Sequence, residues 1–379
     1  MTADTWAERH PASRPHLGGI ESLRAYAALA IVVFHVIHLQ GFDPPESLMF
    51  LKWHLGRGVP LFFAVSAFGL AYGYEGRLGA GSAQRDFYIR RLFRIAPLYY
   101  AAMAFQIAVN FPPPWTGDQL RLVVLSVLFL FNLSPPDVEG VVLASWSIGV
   151  EMLFYLALPV VFLVVRDIRS ALAFVFASFI GATLYMGVLS GFPSIPAAFI
   201  QHGIIFNLPY FAFGLLAYFL WKEASAVRWR TCLALAVVSM VVLVLVPNVW
   251  PSQIANPYGN GAYQSLWGLP FGALCLALAW RDWPPLSWSA TYFLGRISFS
   301  LYLAHPHVID WLSRLGIYDR IRGLPGGVGV TFTLANLVTI GVLIPLAWAL
   351  YRIVEAPGMS YGKQIVARLR RAAPDGSPA

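Results

Sequence analysis

Arg24 and His35 lie eleven residues apart within one apolar stretch. At 100° per residue they fall about 20° apart on one helical face, three turns and about 16 Å from each other. A neutral imidazole held at that depth offers a lone pair, a second nitrogen for an orienting partner and a pKa near neutrality. Those properties suit a general base or a nucleophile. The structural alternative is an interhelical hydrogen bond, and His38, one turn further on, reads as interfacial. Glu151 is the one carboxylate well inside an apolar segment, where it would orient a histidine or neutralise an arginine; a structural ion pair is the plainer role. Trp146 opens the same segment, as an interfacial anchor or a substrate contact. Ser298, Tyr302 and His305 stand at i, i+4 and i+7, so they share a stripe facing inward. Such groups can donate to a developing oxyanion or simply join helices, and Ser66 carries the same ambiguity. Arg90, Arg91 and Arg94 cluster in the loop before another apolar block, at one helix entrance on the inner side, where guanidinium forks suit phosphates or mark topology. Cys232 and Cys275 have no metal-ligand spacing and read as small buried hydrophobes. No metal site, hydrolase elbow or Walker loop is expected.

The elements that must position these groups are membrane helices. The chain has 379 residues, 58% hydrophobic and 12% charged, with a mean hydropathy of +0.65. Soluble domains carry about 25% charged residues. Apolar blocks of about 15–24 residues recur between short polar breaks, the length that crosses about 30 Å of hydrocarbon. The expected fold is an all-α polytopic bundle, with ten spans near 20–40, 58–74, 94–110, 146–165, 170–190, 204–221, 231–247, 265–280, 293–312 and 329–352. The stretch 119–133, short and bracketed by prolines, is expected to be interfacial or re-entrant. With both termini cytoplasmic, 20 of the 26 basic residues fall on the inner side, a strong positive-inside bias. The net charge of +8 therefore reads as topology, not as nucleic-acid binding. Residues 1–18 are expected to be a disordered cytoplasmic lead, 19–360 one membrane domain, and 361–379 a basic, partly disordered tail.

Five ordered motifs resemble the acyltransferase 3 family of multi-pass membrane O-acyltransferases. They are Leu23, Arg24 and Ala25 followed by His35; Arg91 and Arg94 with Pro97; Trp146 and Ser147 through Glu151, Phe154 and Tyr155; Ser298 through Tyr302, Leu303 and His305; and Glu355 with Pro357. Ala67, Ala304 and Ala356 depart from the family pattern without removing a proposed catalytic group. The resemblance is to stand-alone members, in which no esterase domain is expected to follow. The resemblance implies transfer of an acyl group, most simply acetyl from acetyl-CoA, to a hydroxyl of a glycan, exopolysaccharide, lipid-linked sugar or small molecule. It also implies residence in a bacterial cytoplasmic (inner) membrane. On this reading His35, Glu151 and His305 are catalytic, and Arg24, Arg90, Arg91 and Arg94 hold the coenzyme phosphates. Ser66, Trp146, Ser298 and Tyr302 serve the substrate or oxyanion. The rival reading is a proton-coupled transporter or flippase with Arg24, His35 and Glu151 as its relay. No inverted repeat supports it.

Overall fold

A computed structural model describes residues 17–78, 81–111, 113–223, 229–249 and 261–372, with the backbone alone at 246–249. Of the expected lead 1–18 and tail 361–379, residues 1–16 and 373–379 lie outside the described residues. Within them the chain is helical, with no strand, as a bilayer demands of a backbone that must satisfy its own polar groups.

A helix stands at each of the ten apolar blocks. They are α1 (Gly18–Gln40), α2 (Gly58–Tyr74) and α3 (Ser82–Asn110), then, after the short α4 (Gly117–Val127), α5 (Trp146–Val164), α6 (Ile168–Leu189) and α7 (Ile204–Glu223). There follow α8 (Trp229–Val249), α9 (Gly268–Trp280), the pair α10 (Ser289–Arg296) and α11 (Ser298–Arg314), and α12 (Gly327–Leu350). Eight helical segments are long and apolar enough to cross a bilayer. The apolar part of α8, Trp229–Leu245, and all of α11 are shorter. Helix α4 has 11 residues, about 16 Å, half a hydrocarbon core. Its Thr116 capping box starts it cleanly, and the chain then runs through short helical turns at Phe131–Leu133 and Pro135–Asp137.

Three boundaries differ from expectation. Helix α3 begins twelve residues early, so Arg90, Arg91 and Arg94 are helical residues and not a loop at a helix entrance. The ninth span is broken at Ile297 into α10 and α11. The tenth runs through a π turn at Tyr351–Glu355 into α13 (Ala356–Ala372). Residues 361–372, the first part of the basic tail, form an ordered amphipathic helix, in which Tyr361 packs on Phe93 and Arg370 reaches buried Asp86 at 2.6 Å.

Helix α1 is the spine, packed against α2, α9, α10 and α11, while α7 packs on α2, α6 and α9. Close crossings depend on glycine. A Cβ at Gly214 would strike the Ala64 carbonyl, and one at Gly295 the Glu21 carbonyl. Asp282 accepts the Gly19 amide at 2.6 Å, placing a carboxylate at the positive end of α1. The outward faces of α5, α6 and α8 expose Leu156, Val160, Phe176, Leu184 and Val238, the apolar surface lipid requires. This is an integral membrane protein.

Candidate active site

Helix α1 presents its polar stripe to two different cavities. At the end where α1 begins, Arg24 Nε donates to Ser298 Oγ at 3.2 Å and its guanidinium lies 5.7 Å from the Phe62 ring. Around it gathers a set of buried charges. Glu151 Oε1 accepts from Ser66 at 2.6 Å and from Tyr155 at 2.5 Å. Glu355, 1% exposed, accepts from Ser300 at 2.7 Å with one carboxylate oxygen, while Oε1 has no hydrogen-bond partner. Arg24 lies within electrostatic range of Arg94, Glu151 and Glu355, and Glu355 within range of Arg94. Arg91 points inward as well, its guanidinium over Tyr74 at 5.1 Å and Tyr155 at 5.6 Å. Its buried Nε has no partner. Arg90 stays exposed. The π turn that delivers Glu355 is the kind of helical irregularity that often marks a working site.

Three turns along α1, His35 lines a cavity of about 480 Å³. His305, fully buried on α11, meets it: His305 Nε2 lies 3.1 Å from His35 Nδ1. His305 Nδ1 bonds to the Tyr302 carbonyl, and His35 Nδ1 also lies 2.9 Å from the Ile31 carbonyl. Carbonyls only accept, so in neutral rings both Nδ1 atoms carry the proton. That leaves His305 Nε2 as acceptor for His35, and His35 Nε2 with a free lone pair.

The far wall holds Trp146, which stacks on His202 with centroids 4.0 Å apart and planes 9° apart. His202 Nδ1 lies 2.8 Å from Glu139. Asn132 ties this wall together, donating to the Trp146 carbonyl at 3.0 Å and the His202 carbonyl at 3.1 Å.

Tyr302 divides the two cavities. It lines the large one and also a small one of about 40 Å³ shared with Arg24, Ser147, Glu151 and Ser298. Its hydroxyl accepts from Ser147 at 2.8 Å and donates to the Ala144 carbonyl at 2.7 Å.

The expected residues therefore sort into two groups. His35, Trp146 and Tyr302 line the large cavity, with His305 buried behind His35; Arg24, Glu151 and Ser298 line the small one, with Ser66 bonded to Glu151 and with Arg91 and Arg94 nearby. Glu151, expected as a partner for His35, bonds to Ser66 and Tyr155 on the other side of Tyr302, and Ser66 spends its proton on Glu151. Sequence reasoning passed over Glu139, His202, Arg57 and Gln264, which line the large cavity, because all four sit in segments that read as loops or block ends. Arg57 gives no such signal in the sequence, although its 8% exposure marks it as buried. Among the described residues no three His, Cys, Asp or Glu side chains gather as a metal site.

Comparison with known proteins agrees with the motifs. The acyltransferase 3 family model, an acyltransferase domain, matches residues 17–352. An acyltransferase of Streptomyces mycarofaciens, MdmB, is 27% identical across 90% of this chain and 92% of its own. ORF330 of the Acidianus two-tailed virus, which bears a provisional acetyltransferase name, is 23% identical across 79% of this chain and 85% of its own. The protein 2 of the picA locus of Rhizobium radiobacter is 36% identical across 35% of this chain and 75% of its own. No solved structure matches. The chain belongs to the acyltransferase 3 family and is a membrane-embedded acyltransferase.

Proposed function

We propose that the protein transfers an acetyl group from acetyl-CoA to a hydroxyl of a glycan or lipid-linked sugar, with His35 as the proton acceptor. The observation that carries this reading is the His35–His305 pair: a half-buried imidazole with Nδ1 engaged, set in a cavity large enough for a substrate. In the proposed step, His35 Nε2 takes the proton as the acceptor oxygen attacks the thioester carbonyl. The C–O bond forms, the C–S bond breaks, and the proton passes from His35 to the departing thiolate. His305 acts through His35 as a positioning residue.

The donor is proposed to arrive at the cytoplasmic end, drawn by exposed Arg90 and by Arg91 and Arg94, which carry the phosphate-binding role in this reading. The acceptor would occupy the large cavity at the opposite end. A cavity of about 40 Å³ holds one or two waters, not a pantetheine arm. Swinging Tyr302 away from Ser147 and Ala144 is the movement that would join the two sides and let the thioester reach His35. Glu151 in this scheme keeps Arg24 and Arg91 in place rather than touching the reacting atoms.

The test is transfer of radiolabelled acetyl from acetyl-CoA to membrane glycans in inverted vesicles. His35→Gln is expected to lose about 10²–10⁴-fold in rate, as for removal of a general base. Arg91→Ala with Arg94→Ala is expected to raise KM for acetyl-CoA at least about tenfold. Equal labelling by wild type and His35→Gln would overturn the assignment. Proton-coupled flux without any acyl donor would favour a transporter.

A further inference from the structure

Arg57 is the one described residue that lines both the His35 cavity and a second cavity of about 470 Å³ next to it. The two differ in character, the first setting polar side chains among apolar ones. The first is walled by Glu139, Gln201, Asn207 and Gln264 together with Trp146. The second is walled almost wholly by apolar side chains, among them Phe50, Leu61, Met240, Val241 and Phe271. Its α8 wall continues outward into Val237, Val238 and Val242, exposed on the lipid-facing surface. A chamber of mixed lining, which holds the polar side chains, and an apolar groove that opens toward the bilayer thus meet at a single cation.

That cation is held in place. Arg57 donates to Gln264 Oε1 at 2.5 Å and to His54 Nδ1 at 3.4 Å, and its guanidinium carbon sits 4.3 Å from the Trp267 ring centroid. Its side chain is 8% exposed. Planar forks of this kind take phosphate in a bidentate manner, and both cavities fall in the size range of small-molecule sites.

We propose that the acceptor is an amphiphile of one stated chemistry: a polyprenyl-type phospholipid sugar, its chain in the apolar groove, its phosphate on Arg57 and its sugar beside His35. This deepens the acyl-transfer reading and rests on it for the role of His35. The phosphate junction then acts as a ruler, presenting a hydroxyl of the attached sugar to the imidazole in the same chamber. The aromatic Trp146 and the amide side chains of Gln201 and Gln264 suit a sugar ring, which offers an apolar face and many hydroxyls.

The test measures binding alone, without acyl donor, so that it stands apart from catalysis. The full chain is placed in phosphatidylcholine nanodiscs, where bulk phospholipid is already present, and titrated with geranylgeranyl phosphate, geranylgeraniol and inorganic phosphate. Geranylgeranyl phosphate is expected to bind at least about tenfold more tightly than the alcohol or the ion. Arg57→Gln is expected to remove that advantage. Val241→Trp, which fills the groove at an exposed position, is expected to weaken the phosphate lipid and leave inorganic phosphate unchanged. Equal binding of alcohol and phosphate lipid overturns the proposal, as does unchanged binding in Val241→Trp, even if Arg57→Gln fails to fold. Acetyl transfer to soluble acceptors by a protein that does not prefer the phosphate lipid would sink this inference while leaving the acetyltransferase reading intact. Preferential binding without any acetyl transfer would do the reverse.

Discussion

Replacing His305 separates two roles that an imidazole beside His35 can play. The His305 Nδ1 proton is committed to the Tyr302 carbonyl, so His305 offers His35 only an acceptor, 3.1 Å away. His35 Nδ1 keeps a second acceptor in the Ile31 carbonyl at 2.9 Å. Loss of one neutral hydrogen bond costs about 0.5–1.5 kcal/mol. Expressed entirely in the transition state, that is about a 2–13-fold fall in kcat. His305→Ala is expected near the upper end, because it also empties a fully buried site on α11. His305→Gln keeps an amide oxygen able to accept from His35 and is expected within about threefold of wild type on the same scale. Neither change should move KM for acetyl-CoA by more than about twofold, since uniform binding is untouched. The assay is the initial rate of labelled acetyl transfer in vesicles across a range of acetyl-CoA, normalised to the amount of protein. If His305→Gln falls as far as His35→Gln, His305 itself handles the proton and the positioning argument fails. A full rate in His305→Ala would show that the pair is not used at all.

Three further outcomes follow from the packing and the charges. Gly214→Ala drives a Cβ into the backbone carbonyl of Ala64, so α7 and α2 must separate, at about 1–3 kcal/mol; thermal unfolding in detergent should fall, while Gly341→Ala, with open space around it, leaves it unchanged. Glu355→Gln removes a buried negative charge facing Arg94 and Arg24, expected to cost about 1–3 kcal/mol against about 1 for Ser300→Ala; equal thermal shifts would show that the charge contributes nothing. Burial pushes the Asp137 carboxyl up, but hydrogen bonds from Arg121 and Ser134 and the arginine charge outweigh it and hold the group below the usual carboxylate value. Because the folded value is the lower one, this contribution is present above the unfolded value of about pH 4 and disappears as pH falls through the folded one. Melting between pH 7 and 3 should show that acid limb flattened in Asp137→Asn.

The apolar blocks announced nearly all of the helices, because a chain in hydrocarbon has few other ways to satisfy its backbone. The stripe of Ser298, Tyr302 and His305 was readable for the same reason: 3.6-residue periodicity puts them on one face whatever the neighbours are. Proline brackets and length set 119–133 apart from the long apolar blocks in the sequence itself. Boundaries were less visible. Arg90, Arg91 and Arg94 looked like a loop because charge ends an apolar run, yet helix geometry continues wherever aromatic rings cover the guanidinium groups, as Tyr74 and Tyr155 do for Arg91.

Residue types and spacing along the chain determined the class of fold, the family and the short set of ionisable groups that need partners in a membrane. Which partners they find was decided only by tertiary structure. His35 and His305 are 270 positions apart, Arg24 and Ser298 are 274 apart, and no periodicity relates residues on helices that meet across a bundle. The division of the polar residues by Tyr302, and the place of Arg57 between the His35 cavity and an apolar groove, come from helix crossings. Those crossings are set by where glycine lets two backbones touch, which is a property of pairs of surfaces and not of any one segment.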